Sequence, residues 1–322
     1  MSEQHGRMET WAVMRRVILE QRLTAPWRVA ELARRRRRRQ GWERDRLVIV
    51  AMDHPGRRVV AAGGDPWAMA NRAELLRRTA HVLMQPGVDG LLVTPDILED
   101  LFVLNDWMVA QGGPDFLAEK VLVGSMNRGG LADAVFELDD FVTAYTAEAI
   151  AEMGLDAGKL LLRMDPKAPE SARTLRYCAE AVEDLARRRL PVFLEPLAIP
   201  QTTDGLVRLV GVASALGSTS AGRWLKLPMV DDFARVAEAT MCPILLLGGN
   251  RPGSTQQLLR NIDSCLRAGD NVRGVMIGRG VLYPQDGSDP AQAAAALAAC
   301  VHGWMTQEVI PWPDQLFTRS AG

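Results

Sequence analysis

The sequence is poor in lysine. Only Lys120, Lys159, Lys167 and Lys226 occur among 38 lysines and arginines in 322 residues, so arginine carries nearly all of the positive charge. Arginine stays protonated at any physiological pH, whereas lysine can become a neutral nucleophile. A lysine in this chain is therefore singled out for its amine. Histidine is scarce as well: His5, His54, His81 and His302 are too scattered for a zinc site built from several imidazoles. No metal and no other cofactor is expected. Cys178, Cys242, Cys265 and Cys300 form no Cys-x-x-Cys pair, which argues for reduced core thiols in a cytoplasmic protein. No apolar run approaches the roughly 20 residues of a membrane-spanning helix, and the N-terminus lacks the charged-then-apolar order of a signal peptide. A formal net charge of -1 gives no global field for nucleic acid or anionic membrane.

What is present is an ordinary globular composition, 48% hydrophobic and 24% charged, with enough apolar residues for a sizeable core. From Leu47 a regular alternation begins. Leu47 to Met52 is a continuous apolar, β-branched run of the kind that is buried on both faces of a parallel sheet. It ends in a polar turn and is followed by a helical pattern from Trp67 to Gln85. Seven similar cycles follow, with strands expected at 88–93, 121–123, 160–162, 192–194, 224–225, 244–247 and 275–277. Helices are expected at 97–110, 138–153, 169–188, 203–216, 231–239, 255–268 and 290–302. Eight βα units without an antiparallel interruption predict a closed (β/α)8 barrel over 47–303. No Gly-x-Gly-x-x-Gly turn follows the first strand, as a dinucleotide fold would need. Residues 1–46 predict an N-terminal helical extension of two helices, Trp11 to Leu23 and Trp27 to Gln40, the second ending in the run Arg34 to Arg39. That run reads as an interface or solvated face at a helix end rather than a nucleic-acid site, because no aromatic platform or known binding module accompanies it. Residues 304–322, with Pro311-Trp312-Pro313, form a tail that packs across the barrel or against a neighbour.

Barrels of this kind gather their chemistry at the C-terminal ends of the strands. The rule brings Asp53 and His54, Thr94 and Asp96, Ser125 and Asn127, Arg163 and Asp165, Glu195 and Lys226 to one mouth. Lys120 and Lys159 precede the third and fourth strands and are expected at the opposite end, and Lys167 lies in a loop. Lys226 stands alone in the apolar stretch Trp224-Leu225-Lys226-Leu227-Pro228, where burial penalises its charge. Such an amine can form a Schiff base with a carbonyl; the competing reading is an internal ion pair with Glu195 or Asp53. Gly248-Gly249 with Asn250, and Gly278-Arg279-Gly280, close the seventh and eighth strands. Glycine turns there leave backbone N–H groups free for a phosphate or comparable anion, and Arg279 adds a charged clamp.

Six short pieces in this order resemble the class I, Schiff-base aldolases, nearest to the deoxyribose-phosphate, archaeal-type fructose-bisphosphate and tagatose-bisphosphate aldolases. They are Ala-Met-Asp-His after the first strand, Lys-Leu-Leu-Leu-Arg-Met-Asp-Pro at the fourth, Val-Phe-Leu-Glu-Pro-Leu at the fifth, Trp-Leu-Lys-Leu-Pro at the sixth, Leu-Gly-Gly-Asn at the seventh and Ile-Gly-Arg-Gly at the eighth. The resemblance implies that Lys226 forms the imine, with Asp53 near it and Glu195 in proton transfer, and that Gly249 and Arg279 hold a phosphate. Two departures stand out. The seventh strand lacks the second lysine of deoxyribose-phosphate aldolases. The fourth carries Arg163 where tagatose-bisphosphate relatives have lysine, and fructose-bisphosphate relatives tyrosine, as a proton donor or acceptor. Arg163 is the first candidate for lowering the pKa of Lys226, or for binding a hydroxyl, carboxylate or second anion.

The expected activity is thus a metal-independent aldolase of carbohydrate metabolism. It acts on a phosphorylated sugar or sugar-acid derivative through Lys226, Glu195, Asp53, His54 and Arg163. Gly248, Gly249, Asn250, Gly278, Arg279, Ser125 and Asn127 bind the substrate, and a homo-oligomer is expected. Two other readings remain: a barrel acyltransferase or isomerase that uses Lys226 as a cation, and a non-catalytic sugar-phosphate-binding scaffold.

Overall fold

A computed structural model describes residues 3–128, 131–198, 201–248, 253–305 and 307–318. Eight parallel strands close into a barrel in sequence order: β1 Leu47–Met52, β2 Gly90–Val93, β3 Val121–Ser125, β4 Ala157–Met164, β5 Val192–Ala198, β6 Arg223–Pro228, β7 Ile244–Leu247 and β8 Val272–Ile277. Two helices precede them, α1 Glu3–Thr24 and α2 Arg28–Arg35. The helices α3 Arg72–Leu83, α4 Pro95–Ala110, α5 Ala147–Glu152, α6 Glu170–Arg187, α7 Thr203–Ser214, α8 Phe233–Glu238, α9 Thr255–Leu266, α10 Arg279–Leu282, α11 Pro290–His302 and α12 Gln315–Thr318 follow in turn. No described helix is long and apolar enough to cross a membrane, and all four cysteines are free thiols.

Strand alternation sorts the core into two compartments. Leu47, Ile49, Ala51, Leu92, Val121, Val123, Ala157, Phe193, Trp224, Leu245 and Met276 form the barrel interior, while Val48, Val50, Leu160, Leu162 and their kind pack against the helices. The interior is closed from below by Trp42, whose ring lies 6.1 Å from that of Phe193 and 5.8 Å from that of Trp224.

Three sequence expectations are corrected. The second helix ends at Arg35, and Arg36 has extended ψ. The arginine run then crosses beneath the barrel instead of finishing a helix. Arg36 is 3% exposed and donates to the carbonyls of Lys120 and Gly154 and to Asp156 at 2.9 Å. Arg37 pairs with Glu119, Arg38 also reaches Asp156, and Arg39 pairs with Asp45 and Asp89. Asp156 and Asp89 in turn accept the N–H groups of Leu122 and Val48, so the run ties together the lower ends of β1 and β3. Secondly, the helix expected over 138–153 is confined to Ala147–Glu152, started by Thr146 accepting the Ala149 N–H. The preceding backbone is held in turns by tertiary bonds. Thr174 Oγ1 accepts from the Asp140 N–H and donates to the Leu138 carbonyl, and Asn127 pairs with Val142. Thirdly, β4 begins at Ala157 rather than Leu160, which moves Lys159 from the lower end into the barrel.

Candidate active site

One step above the apolar interior, the same inward alternation becomes polar. Asp53 follows Ala51, Ser125 follows Val123, Lys159 follows Ala157, Glu195 follows Phe193 and Lys226 follows Trp224, each two residues further along its strand. Lys159 is completely buried, its Nζ 3.1 Å from Asp53 Oδ2 and 2.6 Å from Glu195 Oε2. Lys226 Nζ lies 3.1 Å from the same Glu195 oxygen and is 5% exposed. Arg57, from the one-turn helix Pro55–Arg57 after β1, brings its guanidinium to 4.0 Å from Asp53. Lys159, expected at the opposite end, and Arg57, absent from the expected site, both belong to this cluster. Lys159 shares the inward parity of Ala157 and Arg163 along β4, which the sequence does contain.

Burying two lysines and two carboxylates together is costly unless each charge is paired, and the pairing is unequal. Burial opposes the charge of Lys159, but Asp53 and Glu195 outweigh it and raise its pKa above the ordinary value. Burial likewise works against Lys226, where Glu195 and Asp53 oppose it but Lys159 and Arg57 add to it, and the pKa falls. Arg163, the expected cause, is instead paired with Glu137. Burial would raise Glu195, but Lys159, Lys226 and Arg57 bring it down to about 2. Asp53 is driven well below its usual range against its own desolvation by Lys159, Arg57 and Lys226. Burial lowers His54 to about 3, so its imidazole is neutral; Nδ1 stands 3.8 Å from Asp53 with no hydrogen-bond partner among the described residues. The arrangement holds one lysine as an ammonium and moves its neighbour toward the free amine, which is how a site separates acid from nucleophile.

The other expected site residues are distributed unevenly. Ser125 is buried, and its Oγ donates to the Asn127 carbonyl at 3.2 Å. Asn127 is occupied by backbone: Oδ1 accepts the Leu161 N–H at 2.6 Å and Nδ2 donates to the Leu161 carbonyl at 2.7 Å, locking β3 to β4. Asp96 pairs with Arg72 and accepts from Thr94, and is half exposed, while Asp165 accepts the Lys167 N–H at the start of a turn. Gly249 and Asn250 lie outside the described residues. Gly248, Ser254, Thr255, Arg279, Gly280 and Tyr283 line a cleft of about 60 Å³ above β7 and β8. Arg279 Nε and Tyr283 Oη are both buried there without a partner among the described residues. Lys226 does not line this cleft. Gly278 joins the two regions, because a Cβ at that position would fall 2.1 Å from the Ala51 carbonyl oxygen and 2.6 Å from His54 Cε1. Only glycine lets β8 end against β1 so closely.

The chain is thus a closed eight-stranded parallel barrel that carries this lysine–carboxylate layer inside it. Residues 45–299 match the family model described as Cgl0159-like, and the chain belongs to that family. It is 40% identical to Cgl0159 from Corynebacterium glutamicum, whose crystal structure superposes with a TM-score of 0.81 over 92% of this chain and 97% of that one. An uncharacterized aldolase from Saccharolobus solfataricus is 22% identical over 271 residues, 81% of this chain and 91% of the relative. An archaeal fructose 1,6-bisphosphate aldolase shares the fold at 19% identity and a TM-score of 0.59, covering 85% of this chain and 99% of its own.

Proposed function

We propose that this protein is a class I aldolase that forms or cleaves a carbon–carbon bond in a phosphorylated sugar or sugar-acid derivative through an imine on Lys226. The observation that carries the reading is geometric: two buried lysines share one carboxylate oxygen, Lys159 Nζ at 2.6 Å and Lys226 Nζ at 3.1 Å from Glu195 Oε2. Lys226 moves toward its free amine while Lys159 stays an ammonium. An amine attacks a carbonyl only when unprotonated, and burial beside other cations is a general way to achieve that.

In the cleavage direction, the Lys226 nitrogen adds to the substrate carbonyl carbon and the carbinolamine loses water to give a protonated imine. A base removes the proton of the hydroxyl on the β-carbon, the far end of the bond to be broken. That bond cleaves, an aldehyde leaves, and its electron pair moves into the imine to form an enamine. Protonation of the enamine carbon and hydrolysis return the amine and release the second product. Glu195, 3.1 Å from Lys226 and 2.6 Å from Lys159, is positioned to pass protons between the two nitrogens. Lys159 supplies on β4 the lysine that the resemblance to tagatose-bisphosphate aldolases asks for as a proton donor or acceptor, the role for which Arg163 was unsuited. Asp53 keeps Lys159 charged, and His54 is a neutral hydrogen-bonding group. Arg279 Nε and Tyr283 Oη, donors in the glycine-walled cleft without a partner among the described residues, support the phosphate assignment. The likeness to fructose-bisphosphate aldolases supports the substrate class.

Borohydride reduction in the presence of dihydroxyacetone phosphate, pyruvate and related ketones, followed by peptide mass spectrometry, tests the reading. One reduced adduct is expected, on Lys226. An adduct on Lys159, or none with any ketone, defeats it. Lys226→Arg separates the imine from a charge role, since it keeps the cation and removes the nucleophile.

A further inference from the structure

Three arginines face the mouth, and they are not equally satisfied. Arg279 has no carboxylate within ion-pair distance among the described residues, and Arg57 has only Asp53 at 4.0 Å. Arg57 Nε is buried without a hydrogen-bond partner among the described residues. Arg57 is close enough to repel both Arg163 and Arg279. Arg163 alone is neutralised closely, by Glu137. That glutamate belongs to neither barrel nor helix. It sits in the turn-rich connection between β3 and α5, in which Asp133 has a φ of 62° and Val135 is fully exposed. The connection is fastened at its far end by Thr174 and by the Asn127–Val142 pairing. Toward the mouth, the Ala132 N–H donates to the Arg57 carbonyl, Arg58 donates to the Ala132 carbonyl, and Glu137 meets Arg163. The glutamate is thus a carboxylate carried on a strap and laid on a mouth-facing cation.

We propose that Glu137 is an internal competitor of the substrate. Its carboxylate occupies the Arg57–Arg163 side of the mouth in the empty enzyme, and a second anionic group of the substrate, at the end remote from Arg279, displaces it. This rests on the reading of the barrel mouth as a phosphate-binding site and does not depend on the imine. Two partly buried guanidiniums, Arg163 and Arg279, each repelled by Arg57, call for more negative charge than one phosphate end supplies. A mobile carboxylate on one of them balances the empty state and discriminates against ligands with a single anionic end, which cannot release it.

The test is calorimetric binding to the full chain with three probes: glycerol 3-phosphate, with one anionic end; 3-phosphoglycerate, with a phosphate and a carboxylate; and 1,3-propanediol bisphosphate, with two phosphates. Wild-type protein is expected to prefer at least one two-ended probe to glycerol 3-phosphate, and which one it prefers identifies the displacing group. Glu137→Gln is expected to tighten that probe roughly tenfold, the worth of one charge-assisted contact no longer contested, and to leave glycerol 3-phosphate within about twofold. Arg163→Gln, with its fold checked by thermal unfolding, removes the preference. Hydrogen exchange in peptides covering 131–140 should speed up when the two-ended probe binds wild type. Equal affinity changes for all three probes in Glu137→Gln, or no binding of either two-ended probe, overturn the proposal. Failure of borohydride trapping with a normal competition pattern would instead sink the aldolase chemistry and leave this inference standing.

Discussion

Replacing Lys159 by methionine tests the core of the site, because it removes a charge while nearly conserving volume. Lys159 is wholly buried and neutralises Asp53 at 3.1 Å and Glu195 at 2.6 Å. Without it Glu195 keeps only Lys226, and Asp53 keeps Arg57 at 4.0 Å. Breaking a buried pair by deleting one partner costs about 3–5 kcal/mol, since the remaining charge stays desolvated. The depressed pKa of Glu195 points the same way: it falls from 4.5 to about 2, and Lys159 is the leading attraction behind it. The sign follows from the depressed carboxylate: the stabilisation is complete above the unfolded value near 4.5 and fades as pH falls toward 2. Denaturant melts should therefore show Lys159→Met about 3 kcal/mol less stable at pH 7 and a shrinking gap at pH 4. A second readout concerns Lys226. Removing a neighbouring cation and freeing Glu195 raises the pKa of Lys226, so the acidic limb of a borohydride-trapping profile moves to higher pH. A variant as stable as wild type at pH 7, with an unmoved trapping profile, would refute the coupling between the two lysines.

Lys226→Arg should unfold within about 1 kcal/mol of wild type, because the pair with Glu195 is retained, yet give no reduced adduct; residual trapping on another lysine would contradict the assignment. Tyr283→Phe removes a buried hydroxyl that has no partner among the described residues and should leave stability unchanged or slightly higher, while raising KM for a phosphorylated substrate several-fold with little change in kcat. Arg36→Ala frees the buried Asp156 carboxylate from one of its two arginines and strips the carbonyls of Lys120 and Gly154. Chemical denaturation should register a loss of about 2–4 kcal/mol, with trapping at Lys226 intact.

The eight-fold recurrence of apolar strand and amphipathic helix determined the barrel. Composition determined that Lys226 was exceptional, since a lysine in an apolar strand is expensive wherever that strand lies. Strand ends were less legible. The start of β4 is written only in Ala157 and Gly158, whose small side chains carry little propensity; a Cβ at Gly158 would press on the side-chain ends of Met126 and Leu185. That three-residue difference decided whether Lys159 sits under the barrel or inside it.

Tertiary structure alone decided which charges meet. Asp53, Lys159, Glu195 and Lys226 come from four different strands, and a lysine near the bottom of its strand reaches the layer above through its length. Sequence spacing contains no term for that reach. The same holds for the arginine run: helix propensity favoured continuing α2, but Asp156 and Asp89, far along the chain, bind Arg36, Arg38 and Arg39 more favourably extended beneath the barrel. The pKa of Lys226 likewise follows from burial and from the nearness of Lys159 and Arg57, because Coulomb energies depend on distance through space.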